Sequence, residues 1–237
     1  MLERLNENFF TTLKKLQAEG TELIIVHGGG PAINKELAKN NITSTTVNGL
    51  RVTSEKAIGI VQSTLVGQVN PTLVHQLNKS GIAAIGLNGS DGNLLKCTLL
   101  NKETYGFVGE IKNVNSSILE MLLANGITPV ISSISCTEEG TPLNINADTV
   151  ASKITLAIKA ESLLLVTDTP GIRIGGEVQQ VVSPTKMDDW ISSGEIYGGM
   201  LPKVNAALDC LVAGIPSVQI VGEQLEGTTI LQQEVFV

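Results

Sequence analysis

The chain has few aromatic and few basic residues. Phe, Trp and Tyr make up 3% of its 237 residues, and 16 Lys and Arg stand against 23 Asp and Glu, for a formal net charge of −7. Proteins that bind nucleic acid rely on basic patches and on aromatic side chains that stack against bases. The composition therefore argues against a nucleic-acid partner.

Cysteines and long apolar runs are also scarce. Cys97, Cys136 and Cys210 are odd in number, far apart and not spaced as metal ligands, which is typical of reduced thiols in a cytosolic protein. No apolar run approaches the roughly 20 residues of a membrane span, and no signal peptide is recognisable. These features predict a soluble, cytoplasmic protein without a membrane partner.

Helical and strand-like segments alternate along the chain, with short Gly, Pro and Asn breaks between them. This alternation predicts an α/β sandwich, in which helices cover a mainly parallel sheet and ligands bind at the carboxyl ends of the strands. The predicted strands are 23–26, 83–87, 128–132, 162–166 and 217–221, with a hairpin at 94–100 and 106–111. The predicted helices are 5–19, 31–40, 54–80, 116–125, 148–159, 184–193 and 201–213.

The helical segment 54–80 has an unusually long apolar stripe. Pro71 should bend it, because proline removes a backbone donor and clashes with the preceding turn. The stripe is longer than one core face needs, so part of it also fits a homodimer interface.

Residues 23–30, Leu-Ile-Ile-Val-His-Gly-Gly-Gly, are the most informative segment. An apolar run typical of a buried strand stops at three glycines, and Pro31 then opens a helical pattern. Residues without Cβ let backbone N–H groups face one point, and a helix N-terminus adds about half a positive charge. The segment predicts an anion site, with phosphate as the natural ligand, although it matches neither GxGxxG nor GxxxxGK[ST].

Three other segments place polar residues at predicted strand ends or helix starts. Residues 167–172 follow a predicted strand and fit either a wall of a nucleotide site or a plain β-turn. Asn144 fits a hydrogen-bond donor to a substrate, and Asp148 fits either a helix N-cap or an orienting carboxylate. Lys203 lies in the first turn of a predicted helix, where a cation opposes the helix dipole, so we expect an anion to share its site.

Together these segments resemble the amino acid kinase family, and within it the acetylglutamate kinases. Six ordered motifs are far more specific than any one of them, and the likeness runs from about residue 5 to the C-terminus. The Gly-Leu-Arg-Val-Thr segment favours the acetylglutamate branch over those acting on carbamate, aspartate or uridylate. The motifs are HGGGPAIN (27–34), NGLRVT (48–53), GLNGSDG (86–92), PLNINAD (142–148), TDTPGI (167–172) and GGMLPKVNAALD (198–209).

The resemblance implies the fold of that family, a three-layer αβα sandwich around a central, mainly parallel sheet. Residues 1–150 would form an N-terminal lobe for acetylglutamate binding and dimerisation, and residues 151–237 a C-terminal lobe for ATP. It also implies transfer of the γ-phosphoryl group of ATP to the γ-carboxylate of N-acetyl-L-glutamate, in arginine biosynthesis. A related acyl amino acid, such as acetylaminoadipate, is the nearest alternative substrate.

The resemblance also implies roles for single residues. The N–H groups of Gly29 and Gly30 would hold the reacting carboxylate and phosphoryl group, Arg51 the α-carboxylate, and Asn144 the acetamido end of the substrate. His27 would be structural, since a carboxylate substrate is already ionised at neutral pH and needs no base.

On the nucleotide side, Lys203 would neutralise phosphoryl charge and Asp148 would hold lysine side chains in place. Mg²⁺ would arrive bound to ATP oxygens and water, so no protein residue is expected as a metal ligand. The adenine and ribose pocket would be lined by Thr167, Asp168, Gly171 and Ile172.

One feature of the family has no counterpart in these 237 residues. Its members begin with a strand that carries Lys-x-Gly-Gly, whereas this chain starts almost directly in the helix that follows. A start upstream of Met1 is one explanation, and a catalytically impaired homologue that still binds ligands is the alternative.

Overall fold

The computed structural model describes residues 5–231 of the chain. The helices are α1 (Glu7–Ala18), α2 (Gly30–Lys39), α3 (Glu55–Thr64), α4 (Asn70–Lys79), α5 (Lys102–Tyr105), α6 (Ser117–Ala124), α7 (Ala147–Ala157), α8 (Pro184–Ser192) and α9 (Met200–Val212). The strands are β1 (Ile25–His27), β2 (Thr46–Val47), β3 (Leu50–Arg51), β4 (Ala84–Asn88), β5 (Leu95–Leu99), β6 (Gly109–Val114), β7 (Thr128–Ser132), β8 (Ile134–Cys136), β9 (Pro142–Asn144), β10 (Ser162–Val166), β11 (Arg173–Ile174), β12 (Glu177–Val178), β13 (Val181–Val182), β14 (Ser217–Val221) and β15 (Gly227–Ile230).

The described residues divide into two compact units. Residues Leu16 to Lys153 form one of them, called here the middle unit. The residues up to Lys15, together with those from Ile154 onward, form the other, called here the terminal unit.

The middle unit is built on a parallel sheet with the strand order β1-β7-β4. All five residues of β7 are buried, as expected for the central strand of a sheet that is covered on both faces. The helices α4 and α6 pack against β7. The predicted strands at 23–26, 83–87 and 128–132 are thereby confirmed, and the predicted hairpin is present as the antiparallel pair β5 and β6.

The predicted helical segment at 54–80 is confirmed, and a short π-helical segment interrupts it. Between α3 and α4 lies a π-helical segment, Leu65–Val69, called here the π turn. It ends where the backbone N–H of Asn70 bonds to the C=O of Leu65, five residues back rather than four. Pro71 follows in the first turn of α4, where its missing N–H costs little.

The terminal unit has a four-stranded sheet with the order β10-β14-β15-β13. The pairs β10 with β14 and β13 with β15 are parallel, whereas β14 and β15 are antiparallel. Helix α9 packs against β10 and β14. The predicted strands at 162–166 and 217–221 match β10 and β14. Two strands escaped prediction, β13 because it has only two residues and β15 because it is short and mostly polar.

Within residues 5–231, no helix combines the length and the apolar character needed to cross a bilayer.

Candidate active site

The glycine loop, Gly28–Gly30, joins the carboxyl end of β1 to the start of α2. Gly29 is the N-cap of α2, and Pro31 occupies the first turn. The first N–H groups of an α-helix have no acceptor within the helix, and the dipole adds positive potential at the same place. All three glycines are partly exposed, so the loop has the geometry that an anion site made of backbone N–H groups would require.

The loop also packs closely against two other elements. An ideal Cβ on Gly29 would lie only 2.8 Å from Cδ2 of Leu65 in the π turn, so no larger residue fits there without movement. An ideal Cβ on Gly28 would lie 3.4 Å from the Cβ of Ala147, so the loop touches the start of α7. The residue after Ala147 is Asp148, and its backbone is thereby brought near the glycine loop.

His27 has the structural role predicted for it. Its side chain is 4% exposed, with Nδ1 lying 2.9 Å from the C=O of Gly28 and Nε2 lying 2.9 Å from Nδ2 of Asn70. Burial lowers the pKa of the imidazole, which favours the neutral ring at pH 7.

Arg51 is carried on a tight hairpin formed by β2 and β3. The turn residues Asn48 and Gly49 both have positive φ, 51° and 78°, as a type I′ turn requires. The half-buried guanidinium donates to Oδ1 of Asn34 at 2.7 Å and to Oγ of Ser44. Because Asn34 lies about one turn after Gly30 on α2, these bonds hold Arg51 close to the glycine loop. Burial lowers the pKa of Arg51, but a guanidinium remains cationic at neutral pH.

Asn144 is tied to the same segment as Arg51. Its Nδ2 donates to Oγ1 of the fully buried Thr53 at 3.1 Å, and that hydroxyl donates to the C=O of Arg51 at 3.2 Å. The backbone N–H of Asn144 also bonds to the C=O of Phe107 at 2.9 Å. The structure therefore brings together Arg51, Asn144 and the start of α2, which are distant in sequence.

Asp148 lies in the first turn of α7 and is partly exposed. The alternative that it serves as the N-cap is wrong. Helix α7 begins at Ala147, and the capping bond comes from Asn146, whose Oδ1 accepts from the N–H of Thr149 at 3.0 Å. Asp148 is thus already inside the helix, in the first turn, where the helix dipole stabilises a carboxylate.

In the terminal unit, residues 167–172 form a turn at the carboxyl end of β10. The N–H of Thr167 continues the sheet by bonding to the C=O of Val221 at 2.8 Å, and its hydroxyl donates to Oδ1 of the exposed Asp168 at 3.2 Å. Gly171 has φ of 135°, a conformation that favours glycine. The N–H of the buried Ile172 donates to Oγ1 of Thr228 at 2.9 Å, so the turn is fixed from β15.

Lys203 is the fourth residue of α9, and its side chain is partly exposed. Gly198, with φ of 59°, and Gly199 precede the helix. A lysine this close to a helix N-terminus is electrostatically unfavourable unless negative charge is near it.

Sequence reasoning missed four supporting residues: Asn34, Ser44, Thr53 and Thr228. Three of them stand near motifs that the sequence did single out, since Asn34 ends HGGGPAIN, Thr53 ends NGLRVT and Ser44 lies shortly before it. Thr228 has no such signal, because it reaches the turn at 167–172 from 56 residues further along the chain.

The described residues contain no cluster of three or more His, Cys, Asp or Glu side chains that could hold a metal ion. A Mg²⁺ ion that keeps most of its ligands from phosphate and water would not need such a cluster.

Known proteins similar to this chain identify its family. The model of the amino acid kinase family matches residues 3–222. The acetylglutamate kinase of Halalkalibacterium halodurans is 41% identical over 98% of this chain and 93% of the relative, and that of Campylobacter curvus is 41% identical over 97% and 82%. The solved structure of smu.665 from Streptococcus mutans UA159 has a TM-score of 0.93 and 33% identity, covering 98% of this chain and 95% of that one. These matches confirm the resemblance and the predicted fold class. The chain therefore belongs to the amino acid kinase family.

Proposed function

We propose that this protein transfers the γ-phosphoryl group of MgATP to the γ-carboxylate of N-acetyl-L-glutamate, giving N-acetylglutamyl 5-phosphate and ADP in arginine biosynthesis. Relatives named acetylglutamate kinase support the choice of substrate. The observation that carries the proposal is the arrangement in the middle unit. The guanidinium of Arg51 is held by Asn34 near a helix start that offers N–H groups to an anion. The amide of Asn144 is tied through Thr53 to the backbone C=O of the same arginine.

The chemistry requires positioning and charge stabilisation more than a reactive side chain. Both reactants are anions, and the substrate carboxylate is itself the nucleophile. The N–H groups of Gly29 and Gly30 hold the carboxylate that reacts and the phosphoryl group that moves, where fixed donors stabilise the transition state. Arg51 binds the α-carboxylate with its two-pronged guanidinium, and Asn144 binds the acetamido group.

The nucleotide is assigned to the terminal unit. Thr167, Asp168, Gly171 and Ile172 line the adenine and ribose site, and Lys203 neutralises the phosphoryl oxygens during transfer. Asp148 holds lysine side chains in place through its carboxylate. Mg²⁺, carried by ATP, spreads the phosphate charge when bound.

The remaining parts of the proposal concern organisation. Residues 1–150 serve acetylglutamate binding and dimerisation, and residues 151–237 serve ATP binding. The protein acts as a cytoplasmic homodimer.

The decisive experiment is ADP release measured with and without N-acetyl-L-glutamate, with hydroxylamine present to trap the acyl phosphate as its hydroxamate. We expect ADP and hydroxamate in equal amounts. L-glutamate, which lacks the acetyl group, should be a poor substrate, and N-acetyl-L-aminoadipate tests whether chain length is enforced. Binding of acetylglutamate and an ATP analogue in calorimetry, without any ADP release, would contradict the kinase and indicate a ligand-binding homologue.

A further inference from the structure

A chain of buried hydrogen bonds joins the central strand β7 to the glycine loop. Nδ2 of Asn70 donates to the C=O of Val130 at 2.9 Å and lies 2.9 Å from Nε2 of His27. Nδ1 of His27 in turn lies 2.9 Å from the C=O of Gly28. Asn70 and His27 are 7% and 4% exposed, so their polar atoms depend on these partners rather than on water.

The two carbonyl groups at the ends of this chain determine where its protons lie. A carbonyl only accepts, so Val130 orients the amide of Asn70 with its NH₂ group toward β7 and His27. Nε2 of His27 then faces a donor and must accept, while Nδ1 faces the C=O of Gly28 and must donate. The arrangement selects the neutral imidazole protonated on Nδ1, which agrees with the lowering of its pKa by burial.

The position of Asn70 itself depends on two local features. It closes the π turn through its backbone bond to Leu65, the same residue that packs against Gly29. On the other side, an ideal Cβ on Gly86 of β4 would lie only 1.9 Å from Oδ1 of Asn70, so only glycine leaves room for the amide. Burying an amide in an otherwise apolar helix face is costly unless it is hydrogen-bonded, and here its bonds lead to the glycine loop.

The geometry of the peptide bond carries the effect from His27 to the ligand. The C=O of Gly28 and the N–H of Gly29 belong to one planar trans peptide, so they point in opposite directions. Holding that carbonyl therefore directs the N–H of Gly29.

We propose that Asn70 is a positioning residue for phosphoryl transfer, which holds His27 in the Nδ1-protonated form and thereby aims the N–H of Gly29 at the reacting anion. The identity of that anion rests on the proposed function, whereas the orientation of the loop does not.

The test substitution is Asn70→Asp, which keeps the size of the side chain but removes both donor hydrogens. His27 must then gain a proton or change tautomer. We expect kcat to fall about ten- to a hundredfold with little change in KM for acetylglutamate, because misaligned donors act mainly on the transition state. Asn78→Asp is the matched control, since Asn78 lies on the same helix, also donates to a carbonyl, and is exposed. A normal kcat in N70D would overturn the inference.

A second measurement, by NMR, detects the state of His27 and of the glycine loop directly and does not depend on turnover. The chain has two histidines, so in the His75→Gln variant the ¹⁵N signals of the remaining imidazole belong to His27. We expect protonation on Nδ1 in that variant, and a change of both the imidazole and the Gly29 amide signals on adding Asn70→Asp. Protonation on Nε2, or an unchanged Gly29 signal, would refute the inference. Absence of ADP release by the unmodified protein, with the expected signals, would count only against the kinase.

If N70D does not fold, Gly86→Ala reaches the same amide from the opposite side. Its methyl group must displace Asn70, so the same fall in kcat and the same change of the Gly29 signal are expected. Gly59→Ala, where a Cβ would meet nothing within 4 Å, is its control. Wild-type kcat and signals in G86A would refute the inference.

Discussion

Two loops of this protein follow the carboxyl ends of parallel strands, and the fold holds them by different means. The loop after β1 is supported by side chains of a helix, with Leu65 leaving no room for a Cβ at Gly29. The turn after β10 is supported from a strand, through the bond from Ile172 to Thr228. At position 29, glycine is needed because Leu65 comes so close, since its φ of −165° is one that any residue adopts. At position 171, glycine is needed because the φ of 135° is unfavourable for residues with a side chain. The same residue type therefore answers two different constraints.

The largest expected effect comes from the terminal unit. Lys203→Ala removes the amine proposed to neutralise the transferring phosphoryl group, so we expect kcat to fall about a hundred- to a thousandfold with a modest change in KM for ATP. Steady-state kinetics with both substrates varied measure this, and Lys203→Arg should recover part of the loss. A large rise of KM for acetylglutamate at normal kcat would assign Lys203 to the other substrate.

The glycine loop offers a paired test in the middle unit. Gly29→Ala requires the loop or the buried side chain of Leu65 to shift, and we expect kcat to fall about a hundredfold together with the melting temperature. A Cβ added at Gly30 would meet nothing within 4 Å, so the melting temperature of Gly30→Ala should stay normal. Comparing the two variants therefore separates an effect on packing from an effect on ligand binding. Equal melting temperatures for both variants and the unmodified protein would show that close packing does not explain the glycine at 29.

Arg51→Ala tests substrate binding in the middle unit. Loss of charge-assisted hydrogen bonds of about 1.5–3 kcal/mol should raise KM for acetylglutamate about ten- to a hundredfold, with a smaller effect on kcat. Arg51→Lys keeps the charge without the two-pronged geometry, so intermediate values are expected. A fall in kcat with unchanged KM would reverse the roles proposed for Arg51 and Lys203.

A substitution behind the proposed nucleotide site tests how the turn after β10 is held. Thr228→Val removes the acceptor of the buried Ile172 N–H, which should reduce the free energy of unfolding by about 1–3 kcal/mol. Thr229→Val, one residue further along the same strand, is the control. Urea denaturation compares the three proteins, and equal midpoints would show that the turn does not depend on this bond.

The smallest expected effect depends on pH. Because burial lowers the pKa of His27, the unfolded chain binds this proton more readily, and stability falls as pH drops below the ordinary histidine value of about 6.5. The slope for one such group is at most about 1.4 kcal/mol per pH unit. Melting temperatures between pH 7 and 5 should fall less in His27→Gln than in the unmodified protein or in His75→Gln. An identical fall in all three proteins would show that His27 is not protonated on unfolding in this range.

The parts of the site that depend on residues close together in sequence could be predicted from the sequence. The apolar run before three glycines predicted β1, the loop and the start of α2, because strand, turn and helix signals follow one another directly. Asn48-Gly49 is a strong hairpin signal of the same local kind, and it would have located the hairpin that carries Arg51. Asn70 is different, since it meets His27 from 43 residues away and looks like an ordinary polar residue in an amphipathic helix.

The amino-acid sequence alone determined the α/β class, the main parallel strands and the order of the motifs, because hydrophobic periodicity and glycine or proline breaks act over a few residues. Only the tertiary structure decided that Asn146 caps α7, that a π turn precedes Pro71, and that Asn70 reaches His27. The first two are local choices that the sequence pattern left open, whereas the last depends on which groups face one another after packing. A buried donor or acceptor must find a partner wherever the fold places one, and distance along the chain does not limit that choice.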